Sequence, residues 1–190
     1  LPRLDTGLLY RKLAFMYIKS LKLIPTQNTI DNSILKSILN DFDLNDLEPE
    51  ALKQDLYGNF ASRIGKLDFV RNKLKIIQIE FVESMMKKKG GCILDGRDIG
   101  TEILPNADFK FYIDAPIETR AKRRFKQLYS TNKSIEFKNI LNDLEKRDIS
   151  DKSRKNSPLI LLEDSIVIDT EFLNPHQVLK KALYYIKKNK

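Results

Sequence analysis

Three short apolar runs, each closing on an aspartate, constrain this chain most: Cys92-Ile93-Leu94-Asp95, Phe109-Lys110-Phe111-Tyr112-Ile113-Asp114 and Ile166-Val167-Ile168-Asp169. Helical patterns lie between them, so the strands they predict need crossover connections. The expected fold class is therefore α/β, a parallel sheet with helices on both faces. Strands of such a sheet are covered on both sides, so 92–95 is expected to be a buried strand. It ends in Asp95 and breaks on Gly96, which carries Asp95, Arg97 and Asp98 to the carboxyl edge where open α/β sheets bind ligands. A guanidinium there clamps phosphate with two parallel hydrogen bonds, and a strand-end aspartate suits a magnesium ion and its waters. In isolation the same residues also describe a polar turn with a local Arg–Asp pair.

The 190 residues suffice for one well-packed domain. Thirty-four Lys and Arg against 26 Asp and Glu leave a net charge of +8. That points to anionic ligands, whether nucleotides, nucleic acid or an acidic membrane surface. The lone Cys92 forms no internal disulfide and suits a reducing compartment. No signal peptide or apolar run of membrane-spanning length is present. The expectation is a cytoplasmic protein, most simply a monomer, with no membrane partner.

Along the chain, Leu1–Asp5 reads as the tail of a strand running into Thr6, the expected cap of a helix over about 8–20 that stops before Pro25. The polar stretch 25–49 reads as a helix with Ile34, Leu35, Ile38 and Leu39 inward, plus an acidic loop. Helices are expected over about 50–63 and 67–88. In the second, Val70, Leu74, Ile77, Phe81 and Met85 form one apolar face, closed by Lys87-Lys88-Lys89 before Gly90-Gly91. Further helices are predicted over about 117–129, from a cap at Ser134 through Leu144, and from Pro175 with Leu179, Ala182, Leu183 and Ile186 inward. Arg147, Asp151 and Arg154 fall within about 60° of one another on a helix, one carboxylate between two guanidiniums. An ordinary surface helix with ion pairs carries the same pattern.

Asp5-Thr6-Gly7-Leu8-Leu9-Tyr10-Arg11, the Asp95–Gly100 segment and Arg147-Asp148-x-x-Asp151-x-x-Arg154, in this order, resemble the bacterial cytidylate kinases, nucleoside-monophosphate kinases of the P-loop class. Asn59-x-Ala61-Ser62 followed by Arg71, Arg120-x-x-Arg123-Arg124-x-x-Gln127-Leu128 and Ser157-Pro158-Leu159 match as well. The resemblance runs from residue 1 to about 186. It implies a three-layer kinase fold over 1–190, with a monophosphate-binding region near 25–88 and a basic lid near 117–157. The implied reaction transfers the γ-phosphate of ATP to CMP or dCMP, with Mg2+ reached through water from Asp95. The resemblance also implies roles for individual residues. Arg11 and Arg97 would hold the acceptor phosphate, Ser62 and Arg71 the cytosine edge and sugar, and Asp151 the ribose hydroxyls beside Arg147. Thr6, Gly7 and Asp98 would complete the substrate site. Arg154 and Arg123 would reach the phosphates in flight, and Arg120 and Arg124 the triphosphate. UMP or AMP as acceptor is the neighbouring alternative. A basic nucleic-acid-binding module is a weaker one, lacking interleaved aromatics or a recognition signature.

The pattern departs from the family in two places. No Gly-x-x-x-x-Gly-Lys-Ser/Thr occurs. Gly65-Lys66 has Phe60 in place of the first glycine, and Gly91 to Gly96 encloses a strand, so neither can wrap amides around a phosphate. The expectation is that this loop, with the central strand before it, lies upstream of Leu1, between the positions of strands 92–95 and 109–113 in the sheet. The 190 residues alone are then expected to be nearly inactive. The second departure is a short 25–58 region, which lacks the extra strands many of these kinases carry there.

Overall fold

The computed structural model describes residues 1–21, 30–45, 47, 49–52, 54–130 and 133–188. It divides into two compact units, Leu1–Ile99 and Gly100–Lys190.

In the first unit, β1 (Arg3–Asp5) runs directly into α1 (Thr6–Ser20). After α2 (Asn32–Asn40), α3 (Pro49–Leu52), α4 (Asp55–Ile64) and α5 (Asp68–Lys89), the chain returns in β2 (Ile93–Asp95). β2 pairs parallel to β1 with Asp5 beside Asp95. Leu9, Leu13, Ala14 and Tyr17 of α1 meet Leu35 of α2, Ile64 of α4 and Val70 and Leu74 of α5 in one buried cluster. Tyr17 stacks on Phe60 at 5.1 Å, and its hydroxyl accepts a hydrogen bond from the amide of Asp31.

The apolar spacing of α5 is realised: Val70, Leu74 and Ile77 are buried, and Phe81 packs against the cluster. The helix ends at Gly90, whose φ of 69° lets the amide cap the carbonyl of Met86. Two boundaries in this unit differ from expectation. Asp5, not Thr6, caps α1, accepting from the amide of Gly7 at 3.0 Å. The helix expected over 50–63 is two, broken where Gln54 takes an extended ψ of 141°. Pro25 and Asp46 lie outside the described residues.

A π-helical turn at Ile99–Ile103 begins on the last residue of the first unit, and the second unit continues toward β3 (Phe111–Asp114). Then come α6 (Ile117–Tyr129), α7 (Phe137–Ser153), β4 (Ile166–Asp169) and α8 (Pro175–Lys188). β3 pairs parallel to β4 with Asp114 beside Asp169. Phe125 stacks on Tyr129 and meets Phe137 edge-on at 6.1 Å, which locks α6 to α7. Glu136 rather than Ser134 stands at the N-cap of α7, and no side chain bonds there.

Among the described residues β2 pairs only with β1, and β3 only with β4. The strands are less covered than a doubly layered sheet predicts. Ile93 is 52% exposed and Val167 48%, while its neighbour Ile168 is fully buried. This alternation belongs to strands covered on one face. Leu179 and Leu183 of α8, expected inward, also reach solvent.

Candidate functional site

In the first unit the residues around β2 are interlocked. Thr6 is buried and its hydroxyl donates to the carbonyl of Asp95 at 2.9 Å. A Cβ at Gly96 would collide with that hydroxyl, so the glycine permits the close approach of α1 to the strand end. Thr6 thus holds the strand end, and its donor is not available to a substrate in this arrangement. Gly7 donates its amide to the Asp5 cap. Asp95 reaches solvent and pairs with Arg3 at 2.9 Å, a contact that nothing in the sequence pattern flagged.

Asp98 and Arg71 meet at 2.8 Å, and their side chains are 14% and 11% exposed. The Arg71 guanidinium lies over the ring of Tyr10 at 5.8 Å, and its Nε is buried without a hydrogen-bond partner. A buried orphan donor beside a largely covered ion pair is uncommon, because it forfeits its hydration without return. Arg11 donates through Nη1 to the carbonyls of Leu52 and Gln54 at 2.8 and 3.0 Å. Gly58 leaves room for this: a Cβ there would lie 2.7 Å from Nη2. Ser62 on α4 and Arg97 beyond β2 are exposed.

In the second unit Arg147, Asp151 and Arg154 come together as expected, but only the first two lie on α7; Arg154 follows its last turn with extended backbone and reaches Asp151 from there. Asp151 is largely covered, with Arg147 at 3.9 Å and Arg154 at 3.5 Å. Arg154 also donates Nε to the carbonyl of Ser157, and the amide of Leu159 bonds the carbonyl of Asp151 at 2.7 Å.

The basic residues of α6 each have partners within the second unit. Arg120 forks onto Asp148 at 3.1 and 2.6 Å and caps the carbonyl of Ala115. The Asp148 carboxylate raises its already high pKa. Arg123 donates to the hydroxyl and carbonyl of Thr170 and reaches the carbonyls of Glu171 and Leu173, joining α6 to the turn after β4. Arg124 bonds Gln127 on its own helix. Arg120, Arg123, Arg124 and Arg154 therefore have four separate anchors rather than one convergence. Residue types alone do not reveal these anchors: Arg123 is held mainly by backbone carbonyls, and Asp148 lies 28 residues from Arg120 along the chain.

Among the described residues no three His, Cys, Asp or Glu side chains gather as a metal site. The exposed Asp95 carboxylate is paired with Arg3, which any cation there would have to displace. No glycine-rich cradle for a triphosphate occurs in residues 1–190. Partial burial raises the Cys92 pKa, which leaves the thiol a weak nucleophile. No helix among the described residues is long and apolar enough to cross a membrane.

Comparison with known proteins matches the chain to one family. The family model described as cytidylate kinase covers residues 1–188. A cytidylate kinase of Caldicellulosiruptor bescii is 34% identical over 98% of this chain and 85% of its own length. One of Bartonella tribocorum is 38% identical over 92% and 77%, and one of Clostridium botulinum 32% over 98% and 86%. With the strand-end Asp-Gly-Arg-Asp and the Arg–Asp–Arg row both formed, and the match running through nearly every residue, the chain belongs to the cytidylate kinase family.

Proposed function

We propose that the protein transfers the γ-phosphate of ATP to CMP or dCMP, working as one nucleoside-monophosphate kinase domain in the cytoplasm. The observation that carries this reading is the Asp151 carboxylate, held between Arg147 and Arg154 by an ordered loop. A preorganised acceptor flanked by cations suits a ribose whose phosphate side is anionic. Asp151 accepts from the ribose hydroxyls, with Arg147 beside it, and Arg154 neutralises charge on the transferring group.

In the first unit Arg97 and Arg11 take the acceptor phosphate. Ser62 and the Arg71–Asp98 pair take the cytosine edge, where the orphaned Arg71 Nε offers a ready donor. Thr6 and Gly7 act through the strand end and the helix start. On α6, Arg123 joins Arg154 at the transferring phosphate and Arg120 and Arg124 reach the triphosphate, each by exchanging its present partner. ATP and Mg2+ supply the phosphoryl group and charge neutralisation. Asp95 would hold a water of the metal shell. The fold proposed is a three-layer P-loop kinase with a further parallel strand, a reading that rests on the family and on the parallel pairing of β1 with β2 and β3 with β4. A chain confined to residues 1–190 carries no P-loop pattern and should turn over far more slowly than one that has it.

Initial rates of the natural protein with CMP, dCMP, UMP and AMP as acceptors test this reading. It expects kcat/KM for CMP or dCMP at least about tenfold above UMP and AMP, because a hydrogen-bonding site rejects ligands that leave its groups unpaired. Equal rates on all four acceptors would refute the cytosine assignment.

A further inference from the structure

We propose that Ser157 is a positioning residue for phosphoryl transfer, whose left-handed backbone presents a carbonyl that fixes the guanidinium of Arg154. The proposal rests on the role assigned to Arg154 above. Among the described residues Ser157 is the one non-glycine with positive φ, at 51°. Pro158 follows it, and a residue before proline is normally driven to extended backbone with negative φ. The conformation is thus disfavoured on two counts, by the serine Cβ and by the proline ring. Strain of this kind persists where the surroundings over-determine it.

Here two bonds close the segment onto the last turn of α7. The amide of Leu159 bonds the carbonyl of Asp151 at 2.7 Å, and Nε of Arg154 donates to the carbonyl of Ser157. Arg154 itself caps α7 with extended backbone, at ψ 140°, and its side chain is 18% exposed. The Asp151 carboxylate at 3.5 Å alone would leave a long side chain free to rotate about that contact. Adding the Ser157 carbonyl on Nε sets the plane of the guanidinium as well as its position. An extended Ser157 would rotate that carbonyl away.

The test uses variants of the natural protein. Gly tolerates positive φ, so Ser157→Gly should keep kcat within about threefold. Ser157→Val, whose branched Cβ opposes the left-handed region, should lower kcat about tenfold or more with KM for CMP nearly unchanged. In an Arg154→Met background Ser157→Val should add little further loss, because the two act through one group. If Ser157→Val keeps full kcat, if glycine and valine fall alike, or if the two losses multiply, the proposal fails.

A measurement on the unmutated protein covers poor folding of a variant. Arginine 15N NMR should show the Nε proton of Arg154 protected from exchange. Fast exchange in an active enzyme overturns the clasp alone, whereas absence of CMP turnover overturns the kinase reading and this role with it.

Discussion

Arg97 stands two residues beyond the end of β2, exposed, while its neighbour Asp98 is drawn in to Arg71. Replacing it with methionine keeps length and removes the charge. In the natural protein Arg97→Met should lower kcat/KM for CMP on the order of 100-fold, since a charge-assisted contact that tightens in the transition state is lost. A fall below about fivefold would remove Arg97 from the site. Residues of this kind were legible from sequence where chemistry and spacing coincide, as in Arg147 and Asp151 one turn apart on α7, whereas the extended backbone that brings Arg154 to the same carboxylate was not. Partners supplied by backbone were not legible. The carbonyls that hold Arg11, Arg123 and Arg154 leave no trace in residue type. The pairing of Asp95 with Arg3 depends on the register of β1 beside β2, which no local pattern fixes.

At the scale of elements, α2 illustrates how a helix start is specified. The Asp31 carboxylate accepts from the hydroxyl of Ser33 and the amides of Ser33 and Ile34. These bonds, the Ser33 hydroxyl first, hold its pKa below the usual carboxylate value. A group with a lowered folded pKa contributes stability above its unfolded pKa, and that contribution is lost as pH falls through the folded value. Asp31→Ala should therefore lower the urea midpoint at about pH 7, and the gap from wild type should narrow as the pH falls below the usual carboxylate range. A gap that persists in acid would assign the effect to packing instead. Helix interiors such as α5 follow from periodicity, because burial of Val70, Leu74 and Ile77 dominates. Their ends are less predictable. Asp5 and Thr6 are both good caps, and only the pull of Asp95 on the Thr6 hydroxyl places Thr6 inside the helix.

At the scale of the whole molecule, strand–helix alternation was sufficient to foresee parallel pairing, which β1–β2 and β3–β4 both show. The coverage of those strands was not foreseeable, since the exposure of Ile93 and Val167 depends on what lies against each sheet face. Membership of the cytidylate kinase family follows from the whole length of the chain, and it makes phosphoryl transfer to CMP the central claim. The most direct test is 31P NMR of the natural protein mixed with ATP, Mg2+ and CMP. The account predicts CDP resonances growing in step with ADP, and no ADP when CMP is left out. ADP accumulating without CDP, or neither product forming, would contradict it.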